Sequence, residues 1–263
     1  MRDDITIQVS DRRLTRVDGT LHDDSANKAV CIACRNAAFS VAYTGLARVQ
    51  NRRTDIWLAD YFTASNAGSK GYPELMQDWQ RAASSAFRNL GPHRRVTFSM
   101  VGFCPRGPFA AHLSNFEDSD GSPLTTIDDD FRTGYWVRNS EPLKKLAFSV
   151  YGTDQSISET IRDTAVPKIR KAFISATEEQ LTTLFVQLIR GAAEHPRFGH
   201  VIGRDCMSVI CDPIGNFRAK YHPDKLSSTI YSPHFITSGF SAKKIWVSGQ
   251  PLSDQSERNN GHT

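Results

Sequence analysis

The run Ala29-Val30-Cys31-Ile32-Ala33-Cys34 constrains the fold more than any other stretch, because six consecutive apolar side chains are typical of a strand buried on both faces. Before it, Ile5, Ile7 and Val9 alternate with Thr6, Gln8 and Ser10. After it, Phe39, Val41 and Tyr43 alternate with Ser40, Ala42 and Thr44 until Gly45 breaks the pattern. A period of two predicts half-buried strands on either side of the apolar one. Asp18-Gly19 and the segment Asn36 to Ala38 supply turns, so three or four antiparallel strands are expected within residues 1–50.

The rest of the chain sets the element order. Thr54 can cap a helix carrying Ile56, Trp57, Tyr61 and Phe62. Pro73 can start a second with Leu75, Trp79, Ala82, Ala83, Ala86 and Leu90, which Gly91 stops. Arg95 to Phe103 and Phe109 to Phe116 predict a hairpin across Cys104-Pro105-Arg106-Gly107-Pro108, and further strands are expected near Arg132 to Arg138 and Lys145 to Tyr151. Ser156 and Glu159 form a capping box for a helix through Ile161 and Ala165, which Pro167 must kink or end. Thr177 and Gln180 form another before Leu181, Leu184, Phe185, Leu188, Ile189 and Ala192, with a stop near His195-Pro196. Cys206 to Cys211 and Asn216 to Tyr221 then close as a hairpin around Asp212-Pro213-Ile214-Gly215.

Strand blocks thus alternate with helix pairs, and covering every apolar face leaves few arrangements. The expected class is α+β, with two antiparallel sheets face to face and helices on both outer faces, or a layout with one sheet. Residues 1–249 fit one domain, and the polar segment 250–263 reads as a disordered tail. Net charge of +4 over 263 residues is too mild to argue for nucleic acid. Apolar runs fall far short of the ~20 residues of a membrane span. Acidic residues stand where a secretory signal would be apolar, so the expected location is cytoplasmic.

The segment Ser10-Asp11-Arg12-Arg13-Leu14-Thr15, then Asn27-Lys28, then a strand ending in Thr44-Gly45-Leu46-Ala47, resembles proteasome β-type subunits and their bacterial proteasome-like relatives. These are N-terminal-nucleophile (Ntn) hydrolases. The resemblance implies the four-layer αββα sandwich of that family, with Asp11 and Lys28 at its catalytic aspartate and lysine positions and Arg13 at its structural arginine position. It also implies a homo-oligomer that contacts its copies through a helix pair, a peptide or amide substrate, and no cofactor. In the family an exposed N-terminal threonine attacks the carbonyl, its own α-amino group serving as base.

Here the departure from the pattern matters most. The family's nucleophile opens a strand that precedes the one matching Ile5 to Ser10, and only Met1-Arg2 and the turn Asp3-Asp4 stand before it. Thr6 lies mid-strand and Ser10 at its far end, so no cleavage within residues 1–263 exposes a suitable nucleophile. The expectations are a threonine-type hydrolase whose nucleophile strand lies outside these residues, or a catalytically inactive proteasome-like scaffold. Asp11 and Lys28 also read as a plain ion pair at strand ends.

Weaker motifs compete. Cys31 and Cys34 have zinc-knuckle spacing, with Cys206 and Cys211 to complete a site, but residues three apart in a strand point to opposite faces. An odd count of five cysteines argues against a disulfide framework. His195 with His200 reads as surface, Asp128-Asp129-Asp130 as a solvated loop, and Cys206 with His222 as a nucleophilic pair without local support. Basic clusters at Arg48, Arg52, Arg53 and at His93, Arg94, Arg95 lack the interleaved exposed aromatics of a nucleic-acid surface.

Overall fold

The structure is a computed structural model that describes residues 1, 3–16, 20–24, 26–91, 94–137, 167–169, 175–197, 199–224, 233–236 and 245–248, with backbone only at 137 and 245–248. The chain begins with β1 (Thr6–Asp11), then the short ribbon β2 (Leu14–Thr15) and β3 (Leu21–Asp23), then β4 (Ala29–Cys34) and β5 (Ala37–Gly45). A second ribbon, β6 (Arg48–Val49) and β7 (Arg52–Arg53), leads into α1 (Thr54–Ala64), a 3-10 turn (Ala67–Ser69) and α2 (Tyr72–Phe87). Next come β8 (Val96–Cys104), β9 (Gly107–Ser114), β10 (Arg132–Val137), α3 (Glu178–Glu194), β11 (Cys206–Cys211), β12 (Phe217–His222), β13 (His234–Ile236) and β14 (Ile245–Ser248). Residues 167–169 are helical, so Pro167 sits in helical backbone. The rest of that expected helix, the strand expected at Lys145 to Tyr151 and the tail 250–263 lie outside the described residues.

Two sheets carry the fold, which is α+β. A six-stranded sheet runs β10-β9-β8-β5-β4-β13 and a four-stranded sheet runs β1-β11-β12-β14. Neighbours are antiparallel except where β13 joins β4 and β14 joins β12, both parallel. β1 therefore does not pair with the other strands of residues 1–50. It pairs with β11, from Thr6 opposite Cys211 to Asp11 opposite Cys206. Periodicity reveals which side chains share a face, and it carries no information about which sheet a strand joins.

Among the described residues, apolar side chains gather in three clusters. One lies between α1, α2 and the six-stranded sheet, where Trp57, Phe62, Trp79, Phe87, Phe98 and Phe131 meet in edge and stacked ring contacts. A second joins Ala29, Cys31, Ala33 and Ala38 of the six-stranded sheet to Met207, Val209, Cys211, Phe217 and Tyr221 of the four-stranded one. The third packs Leu181, Leu184, Phe185 and Leu188 of α3 on Ile5, Ile7 and Ile210. β4 is buried along its whole length, which answers its unbroken apolar run.

Local chemistry explains the boundaries. α3 opens with the expected capping box, in which Thr177 Oγ1 accepts from the Gln180 N–H and Gln180 Oε1 accepts from the Thr177 N–H. Thr54 does not cap α1. It is the helix's first residue, and its hydroxyl donates to the Leu46 carbonyl at 2.7 Å, tying the helix start to the end of β5. At Gly102, opposite Phe39, a Cβ would lie 2.1 Å from the Ala38 carbonyl oxygen, so the pairing of β5 with β8 requires glycine there.

The alternation in β1 resolves unexpectedly. Its polar set Thr6, Gln8 and Ser10 is the buried one, facing the six-stranded sheet, while Ile7 packs partly buried against α3. Gln8 Nε2 donates to the Ser99 carbonyl at 3.0 Å, which compensates part of the burial of its amide.

Candidate functional site

The site assembles where the chain crosses between sheets. β1 ends at Asp11 and β4 begins just after Lys28, and the Lys28 ammonium donates to Asp11 Oδ1 at 2.8 Å. The two strands lie in different sheets, so the contact spans the gap between layers and is not the side-by-side placement that the motif resemblance implies. Asp11 Oδ2 accepts from the Arg13 N–H and the Gly203 N–H, each at 3.0 Å. Both side chains are largely removed from solvent, Lys28 at 10% and Asp11 at 19% exposure.

Three consecutive residues leave the strand in three directions. Arg12 is 1% exposed; its Nε donates to the Ala26 carbonyl at 3.1 Å and its guanidinium lies over the Tyr221 ring, 4.7 Å from the centroid. Arg13 turns outward and makes a forked pair with Asp24, Nε to Oδ1 at 2.7 Å and Nη2 to Oδ2 at 3.1 Å, while Nη1 donates to the Gly199 carbonyl at 2.7 Å. Those bonds to Asp24 hold the guanidinium's pKa above its ordinary value. Asn27 Oδ1 accepts from the Ala29 N–H at 3.1 Å and so shapes the entry to β4.

The three expected site residues are thus together, with Asp11 bonded directly to both of the others. Chemically, the arrangement presents an ammonium held by a carboxylate whose second oxygen is filled by two backbone donors. Asp24, Arg12, Gly199 and Gly203 complete it and were missed in the sequence, where Gly203-Arg204-Asp205 before a strand was the available signal. A Cβ at Gly203 would stand 3.0 Å from Arg13 Cβ and 3.1 Å from Arg13 N, so the backbone approach that serves Asp11 favours glycine.

Cys206 lies opposite Asp11 in the ladder, and burial, then the Asp11 charge, pushes its thiol up to about 12, far from a nucleophilic thiolate. Its expected partner is engaged elsewhere: His222 Nε2 is 2.8 Å from Ser208 Oγ, and Ser208 is fully buried. Burial, then Lys220 and Arg190, lowers His222 from its ordinary 6.5 to about 4. Cys31 and Cys34 fall in different apolar clusters on opposite faces of β4. Asp128, Asp129 and Asp130 pair with Arg132, Arg94 and Arg88, and Arg52 and Arg53 pair with Asp60 and Asp55. His195 and His200 are exposed, and His93 lies outside the described residues.

A second polar cluster lies under α1. Asp55, 1% exposed, takes a forked pair from Arg53 at 3.0 and 2.8 Å and sits 3.2 Å from His234 Nε2. Burial pushes its pKa up, but the bonds from His234 and Arg53 outweigh it, so the carboxyl lies below its ordinary value. Through this contact α1 holds β13 at the edge of the six-stranded sheet.

No protein-family model and no curated protein matches this chain. Among solved structures it is similar to the Gly-1 mutant of Anbu from Hyphomicrobium sp. strain MC1, with 10% sequence identity and a TM-score of 0.49 over 83% of this chain and 83% of that one. Among the described residues no helix is long and apolar enough to cross a membrane.

The Asp11–Lys28 pair should be asymmetric under mutation. Lys28→Ala leaves Asp11 with two amide donors, whereas Asp11→Ala leaves a buried ammonium without its counter-ion, so the second substitution should cost more in urea unfolding. The double-mutant cycle should show a coupling of about 1–2 kcal/mol; the opposite order of costs would contradict the geometry. For His222 the depressed pKa means that the unfolded state takes up a proton first as pH falls. Its contribution to stability is intact above 6.5 and declines between 6.5 and about 4. His222→Asn should flatten that part of the stability–pH curve, and an unchanged slope would exclude His222 as its source.

Proposed function

We propose that the chain is a proteasome-like protein with the four-layer αββα arrangement, of threonine-type hydrolase ancestry, and that residues 1–263 as they stand do not hydrolyse peptide or amide bonds. One observation carries the reading: Asp11, Lys28 and Arg13, which the sequence resemblance marks as a set, form one hydrogen-bonded cluster at the crossing between sheets. The supporting packing is the succession of α1 and α2, six-stranded sheet, four-stranded sheet and α3.

In this reading Lys28 is an electrostatic group. Its positive charge, oriented by Asp11, disfavours protonation of a neighbouring amine and keeps that amine a neutral base. Arg13 positions Asp11 through its N–H and anchors the turn through Asp24 and Gly199. Neither Met1 nor Arg2 can supply the attacking group, since a thioether and a guanidinium do not form an acyl intermediate that water regenerates. Fluorogenic peptides should show no turnover above background with this chain. A version extended by an upstream strand beginning with threonine should gain turnover and lose most of it on Lys28→Ala. Turnover by residues 1–263 that survives Lys28→Ala would overturn the mechanism.

A second reading is a scaffold without hydrolytic activity, favoured by Asp11 having both oxygens committed to hydrogen bonds. Both readings propose a homo-oligomer, with residues 1–249 as one domain. Ile56, at 40% exposure on α1, would form part of the contact between copies. Light scattering at tens of micromolar should report a mass above that of one chain and, for Ile56→Glu, a shift toward it; a monomeric mass for the parent protein would refute the assembly.

A further inference from the structure

The five cysteines are free thiols, and the proposed hydrolase mechanism uses none of them. Cys31, Cys34, Cys206 and Cys211 are buried, whereas Cys104 is partly exposed. Cys104 closes β8, one rung beyond the pair Phe103 and Ala38, where the hairpin turns into β9 through Pro105 and Arg106. Its side chain packs at the margin of the apolar cluster beneath α1 and α2.

Polar groups converge on this thiol. Tyr135 of β10 places its hydroxyl 3.4 Å from Cys104 Sγ, and the Gly107 carbonyl oxygen lies 3.5 Å from the same sulfur. Burial, then Cys104, holds the Tyr135 phenol above its ordinary pKa, so it keeps its proton and can donate to a thiolate. The charge of Arg106 acts on the same phenol and brings a cation to the group. A hydrogen-bond donor and a cation beside a partly exposed sulfur are the surroundings in which thiols react.

A second hydroxyl there has no acceptor. Tyr72 opens α2, its N–H donating to Asn36 Oδ1 at 2.7 Å, and its ring packs against Phe39, Phe109 and Tyr135 at centroid separations of 5.5, 4.6 and 5.4 Å. The residue is 6% exposed, and its buried hydroxyl has no hydrogen-bond partner. Burial, then the charges of Tyr135, Cys104 and Cys34, raises its phenol, so the hydroxyl points into the space those groups share. Buried donors are normally paired, and leaving one unpaired is costly.

One oxygen atom added to Cys104 would supply the missing acceptor. A disulfide would not form in its place. Cys34 stands opposite Ala37, and Ala37 neighbours Cys104 on the next strand, so two strand spacings, about 9–10 Å, separate the two Cα atoms, against a limit of about 7 Å.

We propose that Cys104 is an oxidant-modified site, at which a hydroperoxide forms a sulfenic acid that the Tyr72 hydroxyl retains. The thiol releases its proton to solvent, and the thiolate attacks one peroxide oxygen as the O–O bond breaks. The departing oxygen takes up a proton and leaves as water or an alcohol. Sulfur gives two electrons to the peroxide and keeps one oxygen. That oxygen accepts from Tyr72, and its own proton is donated to the Gly107 carbonyl. The inference is independent of hydrolysis, since Asp11 and Lys28 take no part in it.

The test adds hydrogen peroxide to the whole folded protein, traps sulfenic acid with dimedone and locates the adduct by peptide mass spectrometry. Cys104 should carry it and the four buried cysteines should not. Tyr72→Phe removes only the unpartnered hydroxyl. It should leave the unfolding temperature of the reduced protein unchanged or higher, and shorten the lifetime of the sulfenic acid about fivefold. Tyr135→Phe, the second variant, should slow its formation. No adduct on Cys104, equal labelling of the buried cysteines, a Cys34–Cys104 disulfide, a reduced protein destabilised by Tyr72→Phe, or a lifetime indifferent to that substitution would each overturn the proposal.

Discussion

Everything near the candidate site depends on one crossing, at which the chain leaves the four-stranded sheet after Asp11 and enters the six-stranded sheet at Ala29. A crossing inside a sandwich strands backbone polar groups between two layers that offer them no ladder partner. Here they are met by side chains. Arg12 is buried against the Ala26 carbonyl and the Tyr221 ring, and the Ala26 N–H returns a bond to the Arg12 carbonyl at 3.1 Å. Lys28 and Asp11 close the same gap with a charge pair. Buried ion pairs add little net stability, but losing one partner is strongly destabilising, so the gap is well filled only when both sheets bring their halves of the pair together.

The inter-sheet layer has two characters as a result. Around Cys31, Met207, Val209 and Phe217 it is an ordinary apolar interior. Under β1 it is polar, with Thr6, Gln8 and Ser10 facing Ser99, and with Thr97 and Ser114 2.8 Å apart on the strands beyond. Thr97 Oγ1 also donates to Glu117 at 2.9 Å, and burial raises that carboxyl above its usual range. A polar layer of this kind needs nearly complete hydrogen bonding to be tolerated.

Most elements were legible because they are governed by local chemistry. The capping box at Thr177, the hairpin turn at Pro105-Arg106 and the apolar run of β4 each announce themselves within a few residues, and the structure places them as read. What was not legible is long-range. Whether Ile5 to Ser10 joins β4 or β11 is decided by partners some two hundred residues away, and the pattern of β1 misleads about which face is interior because Gln8 finds Ser99 there. The site follows the same division. Asp11, Arg13 and Lys28 were marked by their motif, whereas Gly203 and Gly199 act through backbone atoms, which leave almost no trace in side-chain chemistry.

The pairing of β1 with β11 joins Thr6 to Cys211, 205 positions apart. During synthesis β1 emerges about two hundred residues before its partner strand. At ribosomal rates of about 5–20 residues per second the earlier strand waits roughly 10–40 s before its ladder can form. Over that interval the six-stranded sheet can assemble β4, β5, β8 and β9 through hairpin-scale contacts, since each is antiparallel to a neighbour close in sequence. The polar inner set of β1 then acquires a kinetic meaning: a strand bearing Thr6, Gln8 and Ser10 is less prone to self-association while it waits than an apolar one would be, which suits it to be made early and used late.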